Sequence, residues 1–164
     1  MKLEALDPEE KITRVLQQCS EHDGYLLLDG ARFEDIYAFL YKNYNHPTYI
    51  ALYKGTYFES TMEGGPFLVQ LQGQNDKLLS WYTESGDDAM KGLLLVSQLN
   101  LQDLAGHFHQ FLKARRPNNE IVLFRFYDPD TFQALVPLRD KLANLLKPLP
   151  HVFWKKNSTL CQLP

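Results

Sequence analysis

The sequence predicts an α/β fold in which helices cover a mixed, partly antiparallel sheet of five to six strands. Segments with helical spacing alternate with short, almost continuously apolar runs, which are typical of strands buried on both faces. The stretch between Tyr49 and Leu71 predicts two strands with no room for a helical crossover, so part of the sheet should be antiparallel. A length of 164 residues without repeats or an evident linker predicts one compact domain over residues 1–164.

The first half of the chain predicts two helices and three strands. Asp7 and Pro8 are typical of a helix start, as N-cap and first helical residue, and this helix should run to about residue 20. The predicted strands are three apolar runs, residues 25–30, 48–55 and 64–73. Pro66 should lie near the start of the third strand, because proline cannot donate to a strand ladder. Helical spacing returns between the first two strands, at residues 33–44.

The second half predicts further alternation of the same kind. Asn100 should cap a helix over residues 101–115, and Asp128 with Pro129 should open another that is interrupted at Pro137. The other predicted elements are a short helix at 76–85, strands at 92–99 and 119–127, and a final edge strand at 151–154.

Composition and charge exclude several classes of protein. A hydrophobic content of 45% and a charged content of 23% argue against disorder, and a net charge of -3 gives no reason to expect nucleic acid. The basic cluster Lys113, Arg115 and Arg116 is interpreted as the solvated end of a helix. No signal peptide and no long apolar run is evident, so we expect a cytoplasmic protein without a membrane partner. Cys19 continues a helical stripe and should be a buried, reduced thiol.

Motifs for nucleotide, nucleophile or metal chemistry are not evident, so we expect no cofactor, no metal and no catalytic residue. The two glycines of "MEGGPF" precede a strand rather than a helix, which is the wrong context for a phosphate loop. His107 and His109 lie two residues apart on a predicted helix, so their side chains diverge and cannot share a metal ion. They are interpreted as histidines at the two borders of the apolar face.

Two carboxylates follow predicted strands and allow two interpretations. Asp29 ends the first strand and Asp128 follows the fifth, and ligands of open α/β sheets gather beyond strand ends. An enzyme hypothesis makes them an acid/base pair. The alternative makes Asp29 a turn residue and Asp128 the N-cap of the helix that Pro129 begins, and the proline favours this alternative.

Arg125 stands inside the apolar run "LFRFYDPDTF". Placed in a strand with both faces apolar, its guanidinium should be at least partly desolvated and must have a carboxylate or carbonyl partner. The candidate partners are Asp29, Glu63 and Asp128. The arginine is therefore predicted to organise neighbouring loops at one end of the sheet.

An ordered set of motifs resembles a known family. The motifs are "YLLLDGARFEDIY", "YIALYKGT", "EGGPFLVQL", "SQLNLQDLAGHFHQFL" and "VLFRFYDPDTFQAL". Together they resemble the effector chaperone, or adaptor, family of type VI secretion (the Tap/Tec-type adaptor domain), most clearly over residues 25–136. The family pattern falls on Asp29, Gly65, Pro66, Arg125, Tyr127, Asp128 and Pro129.

The resemblance implies a function. Members of this family are non-enzymatic, cytoplasmic proteins that bind one effector toxin and deliver it to the VgrG spike, so the implied partners are a toxin and VgrG. An immunity protein that neutralises a toxin, and a small α/β enzyme using Asp29 and Asp128, remain alternatives. Many members also carry a C-terminal region beyond this domain. Two alternatives follow for this chain: it contacts both the cargo and the spike, or it contacts the cargo alone.

Aromatic residues are the candidates for the binding surface. They make up 13% of the chain, and tyrosine offers a large, stiff contact area with a polar tip. The candidate partner-binding residues are Phe39, Tyr41, Tyr53, Tyr57 and Phe58. The alternative is that these rings complete the core.

Overall fold

The computed structural model describes residues 7–18, 22–73, 76–86 and 90–163. The helices are α1 (Pro8–Gln18), α2 (Ile36–Asn43), α3 (Lys77–Glu84), α4 (Leu101–His109), α5 (Pro129–Leu135) and α6 (Ala143–Leu146). The strands are β1 (Asp23–Asp29), β2 (Tyr49–Ala51), β3 (Pro66–Gln70), β4 (Gly92–Ser97), β5 (Lys113–Arg115), β6 (Ile121–Leu123), β7 (His151–Lys156) and β8 (Thr159–Gln162). Short 3-10 helices cover Gly30–Arg32, Glu59–Gly64 and Val136–Leu142.

Six strands form the main sheet in the order β2-β3-β1-β4-β7-β8. Each neighbouring pair in this order is antiparallel, so the antiparallel part of the predicted sheet extends across all six strands. The predicted fold class, an α/β sheet covered by helices, is confirmed. Strand β1 lies at the centre, and its last residue, Asp29, is opposite Pro66 of β3.

Helices cover both faces of the sheet, and the alternation of side chains on β1 separates the two cores. Tyr25 and Leu27 belong to the core that includes residues of α4, α5 and α6. Leu26 and Leu28 belong to the core that includes residues of α1, α2 and α3. Because both sets are fully buried, the near-continuous apolar character of β1 is explained by burial on both faces.

Side-chain caps fix where most helices begin. Asp35, Asp76 and Asn100 accept hydrogen bonds from backbone N–H groups in the first turns of α2, α3 and α4. The start of α1 at Pro8 and the cap by Asn100 were predicted correctly. Helix α2 begins three residues later than predicted, because Asp35 caps it and Phe33 instead ends the preceding 3-10 turn.

The prediction for residues 101–127 was wrong in two respects. Helix α4 ends at His109, and Lys113–Arg115 forms strand β5, so the basic cluster does not cap a helix. The predicted fifth strand is reduced to β6, which pairs with β5 in a separate two-stranded hairpin rather than joining the main sheet. Asn119, with φ of 66°, takes the left-handed conformation in the turn between them.

The C-terminal strands also differ from expectation. Strand β7 lies inside the sheet between β4 and β8, so β8 rather than β7 is the edge strand. Cys161 on β8 is a half-buried free thiol, whereas Cys19 lies outside the described residues. His107 Nε2 lies 2.8 Å from the Leu145 carbonyl and His109 Nε2 lies 2.9 Å from the Leu52 carbonyl. The two rings thus contact different parts of the chain, as the interpretation of border histidines predicts.

Candidate functional site

The centre of the site is a fully buried carboxylate at the end of β1. Asp29 has no exposed surface, and its Oδ1 accepts a hydrogen bond of 3.2 Å from the Ala31 N–H. Its Oδ2 accepts a hydrogen bond from Arg125 Nη2 and lies 3.6 Å from Arg32 Nε. Burial raises the pKa of the Asp29 carboxyl above its ordinary value, and the Arg125 guanidinium opposes that rise. The Arg125 guanidinium therefore favours the charged form of this buried carboxyl.

Arg125 occupies a different environment from the one predicted. It lies in the segment between β6 and α5 rather than in a strand, and 43% of its side chain is exposed. The buried member of the pair is Asp29, not the arginine. The prediction that Arg125 has a carboxylate partner is confirmed, with Asp29 as that partner, and the guanidinium joins the end of β1 to the segment before α5.

Arg32 joins this pair to a second carboxylate. Its Nη2 donates to Asp128 Oδ1 and lies 3.5 Å from Asp130 Oδ2. Asp128 and Asp29 are therefore linked through one guanidinium. Sequence reasoning missed Arg32, although its spacing of three residues from Asp29 is a usable signal, because a 3-10 turn brings residues i and i+3 onto one side.

Asp128 also caps helix α5, as predicted. Its Oδ2 accepts hydrogen bonds from the Thr131 N–H at 3.2 Å and from Thr131 Oγ1 at 2.9 Å. Pro129 occupies the first turn, where a missing N–H costs nothing. The side chain of Asp128 therefore uses one oxygen to hold the helix and the other to hold Arg32.

We expect Asp128→Ala to lower the free energy of unfolding by about 1 to 2 kcal/mol, since the substitution removes both the cap and the contact with Arg32. Asp128→Asn should recover part of that loss, because asparagine is also a good N-cap. Urea denaturation of the three proteins measures the difference. Equal stability of Asp128→Ala and wild type would contradict the assigned role.

Two glycines and two tyrosines close the other side of the site. The Gly30 N–H donates to the Gly65 carbonyl at 2.8 Å. A Cβ atom on Gly65 would lie only 2.4 Å from Cδ2 of Tyr53, so the ring of Tyr53 requires glycine at this position. The Tyr53 and Tyr127 hydroxyls share a hydrogen bond of 3.1 Å, and both rings are buried. The contact from Gly30 and the tyrosine pair were not predicted.

The residues of the sequence motif are thus brought together at one end of the sheet. Pro66 is opposite Asp29, its carbonyl accepts a hydrogen bond of 2.9 Å from the Leu52 N–H, and Gly65 precedes it. The arrangement uses the oxygens of both carboxylates for arginines and backbone N–H groups. Within the described residues, no group of three or more His, Cys, Asp or Glu side chains is arranged to hold a metal ion.

Residues 24–142 match the model of a protein family described as "Domain of unknown function (DUF4123)". The chain belongs to the DUF4123 family. This domain is known as the effector adaptor, or chaperone, domain of type VI secretion, which confirms the resemblance seen in the sequence. No curated protein and no solved structure matches the chain. None of the helices in the described residues has the length and apolar character needed to cross a membrane.

The candidate partner-binding rings of this DUF4123 domain differ widely in exposure. Tyr57 is 89% exposed and Tyr41 is 56% exposed, so both present aromatic surface to solvent. Phe39 and Phe58 are half-buried, and Phe39 packs edge-on against Trp81 with ring centroids 4.8 Å apart.

Tyr53 differs from the expectation of an exposed ring. It is buried between Gly65 and the half-buried Phe58, and its hydroxyl contacts Tyr127, so it offers a partner almost no surface. The ring packs closely against the backbone of Gly65, which is a tertiary contact. The position of Tyr53 after a strand does not predict this contact. Of the proposed rings in the DUF4123 domain, Tyr41 and Tyr57 are the most accessible.

Proposed function

We propose that this protein is a type VI secretion chaperone that binds one effector toxin non-covalently and helps to load it onto the VgrG spike. The proposal rests chiefly on the match to the DUF4123 family, which is associated with type VI effector adaptors. The action takes place in the cytoplasm before secretion. It requires complementary surfaces only, without catalysis, nucleotide or metal.

The geometry of the site supports a binding role. Asp29, Tyr127 and Asp128 are buried, and their polar atoms contact other parts of the same chain. These motif residues therefore serve the architecture of the domain, and recognition is left to exposed side chains. Tyr41 and Tyr57 are suited to it, since tyrosine is enriched among the residues that dominate binding energy at interfaces.

Co-expression with an effector toxin of the same type VI secretion system tests the function. We expect the toxin to remain soluble and to co-purify with the protein. A toxin that is equally soluble alone, and that does not co-purify, contradicts the proposal. Rescue from toxicity by this protein without any secretion defect on its deletion would instead identify an immunity protein.

Replacing both exposed tyrosines tests the surface. We expect Tyr41→Ser combined with Tyr57→Ser to weaken toxin binding about tenfold, because two aromatic contacts are lost. Thermal stability should change little, since both side chains are exposed. Affinity is measured by calorimetry, and Leu138→Ser at another exposed apolar position is the matched control. Unchanged affinity in the double variant would exclude these rings from the interface.

The enzyme alternative makes a different prediction for the same chain. It requires Asp29 and Asp128 to exchange protons with a substrate, whereas Asp29 is fully buried and hydrogen-bonded to Arg125. If wild type turns over a substrate and Asp128→Asn does not, the result favours the enzyme hypothesis and opposes the chaperone hypothesis.

A further inference from the structure

The β5–β6 hairpin presents a surface that the site at the sheet end does not use. Lys113 is opposite Leu123, and Arg115 is opposite Ile121. All four side chains are exposed, whereas Ala114 and Val122, on the other side, are half-buried. We call the surface formed by Lys113, Arg115, Ile121 and Leu123 the outer hairpin face.

The hydrogen-bond pattern shows how closely the side chains of the outer hairpin face approach each other. The Phe124 N–H donates to the Leu112 carbonyl at 2.9 Å, and the Arg116 N–H donates to the Glu120 carbonyl at 2.9 Å. Hydrogen-bonded and non-hydrogen-bonded pairs alternate along an antiparallel ladder. The two pairs of the outer hairpin face are therefore non-hydrogen-bonded pairs, whose side chains lie closest together. Each cation is held beside one apolar side chain.

The apolar half of the outer hairpin face is unusually exposed. Ile121 is 56% exposed and Leu123 is 43% exposed, and both belong to a short strand in a sheet with only two strands. Apolar residues on such a strand favour association with another chain unless they are covered.

The charged half of this face determines what kind of partner fits. Among the residues that the structure describes, neither Lys113 nor Arg115 has an ion-pair partner, whereas Arg116 is paired with Glu120 at 3.0 Å. The whole chain carries a net charge of -3, so this basic surface has the opposite sign to the molecule. Carboxylates on a partner would complement it, which favours correct docking and fast association.

We propose that the outer hairpin face binds an acidic segment of a partner polypeptide. Apolar side chains of that segment cover Ile121 and Leu123, and its carboxylates pair with Lys113 and Arg115. The surface and the chemistry of the segment follow from the hairpin itself. That the segment belongs to the toxin cargo rests on the function proposed above.

A polypeptide fits this surface better than an anionic membrane does. The turn of the hairpin is Pro117, Asn118 and Asn119, followed by the exposed Glu120, and none of these residues offers an apolar side chain suited to insertion into a bilayer. The apolar residues lie along the flank of the hairpin, beside the cations. A flank of this kind suits an extended or helical segment laid across it.

Charge reversal and apolar replacement test the inference with the whole protein. The test variants are Lys113→Glu with Arg115→Glu, and Ile121→Ser with Leu123→Ser. The matched controls are Lys141→Glu with Lys156→Glu, which change the same charge at other exposed positions, and Leu138→Ser. We expect each test variant to bind the co-expressed toxin about tenfold more weakly than wild type, and the controls to bind as wild type does.

Defined probes separate the surface from the cargo. The first probe is a synthetic peptide in which glutamate alternates with leucine, and its twin replaces glutamate by lysine. We expect the acidic peptide to bind wild type, to lose about tenfold in affinity for the charge-reversed variant, and to bind more weakly at high salt. The lysine twin should not bind. Vesicles of phosphatidylglycerol form the third arm, and we expect no binding to them.

The outcomes distinguish this inference from the proposed function. Toxin binding that is unchanged in both test variants overturns the inference and leaves the chaperone function standing. If the toxin does not bind wild type but the acidic peptide binds through the hairpin, the outer hairpin face is supported as a binding surface. The same result contradicts the proposed chaperone function. The inference is also overturned if the acidic peptide does not bind or binds the charge-reversed variant equally well. Vesicle binding, or self-association that depends on Ile121 and Leu123, overturns it too.

Discussion

Arg125→Ala is expected to lower the free energy of unfolding by about 2 to 3 kcal/mol near neutral pH. The substitution removes the closest cation from Asp29, which is fully buried. The loss is limited because Arg32 Nε, at 3.6 Å, and the Ala31 N–H continue to face the same carboxylate. Urea denaturation measures the change.

The same variant should show a characteristic pH dependence. Without Arg125 the pKa of Asp29 in the folded state rises further above its unfolded value, because burial already raises it and the guanidinium opposed that rise. A carboxyl whose folded-state pKa is raised binds its proton more readily when folded, so the folded state gains stability as the pH falls through that pKa. The loss in free energy of unfolding of Arg125→Ala relative to wild type should therefore be largest near neutral pH and should shrink on acidification.

A surface arginine provides the control for this prediction. Arg116 also forms an ion pair, with Glu120, but both side chains are more than half exposed. Arg116→Ala should change the free energy of unfolding by about 0.5 kcal/mol or less. Equal stabilities of Arg125→Ala and Arg116→Ala would show that the buried carboxylate does not depend on Arg125.

Gly65→Ala should lower the free energy of unfolding by about 3 kcal/mol. The added Cβ would lie 2.4 Å from Cδ2 and 2.7 Å from Cε2 of Tyr53, distances that require the ring or the backbone to move. Tyr53 cannot move freely, since it is buried and its hydroxyl is bonded to Tyr127. Overpacking at such a position costs energy through displaced side chains and backbone.

The adjacent glycine is a nearly ideal control. A Cβ on Gly64 would meet no atom within 4 Å, and its φ is not in the left-handed region. Gly64→Ala should therefore be neutral or slightly stabilising, because alanine restricts the unfolded chain more than glycine does. Thermal melts of the two variants make the comparison, and a similar loss in both would refute the role of the Tyr53 ring.

Local signals explain what the sequence predicted well. Asn100 and Asp128 were identified as caps because a cap depends on residues within one helical turn. The burial of β1 on both faces was evident from its unbroken apolar run. Pro66 was placed at the start of β3 because the missing N–H of proline excludes it from the interior of a ladder.

Tertiary contacts explain what the sequence did not predict. The segment at Lys113–Arg115 continues the helical pattern of α4, yet it forms a strand because it pairs with β6. The apolar residues around Arg125 predicted a buried strand, whereas Ile121 and Leu123 are exposed on the hairpin. Periodicity indicates which face of an element is apolar, but not whether another element covers that face.

The candidate site was predicted in part for a similar reason. Asp29 was among three candidate partners of Arg125, because an arginine in an apolar segment requires a counter-charge. The choice among the three depended on how the segment between β6 and α5 packs against the end of β1, a tertiary contact that no local pattern shows. Arg32 was missed because its three-residue spacing from Asp29 is informative only once Gly30–Arg32 is known to form a 3-10 turn.

The completion of the sheet by β7 decides which fragments of this protein can keep both cores covered. Residues 24–142 carry the family signature, but Val152, Phe153 and Trp154 lie beyond it and are buried against the two cores. A fragment trimmed to the signature would leave the outer edge of β4 bare and both cores open at that side. The main sheet therefore extends past the recognisable signature, and a fragment that keeps both cores covered must include β7 and β8.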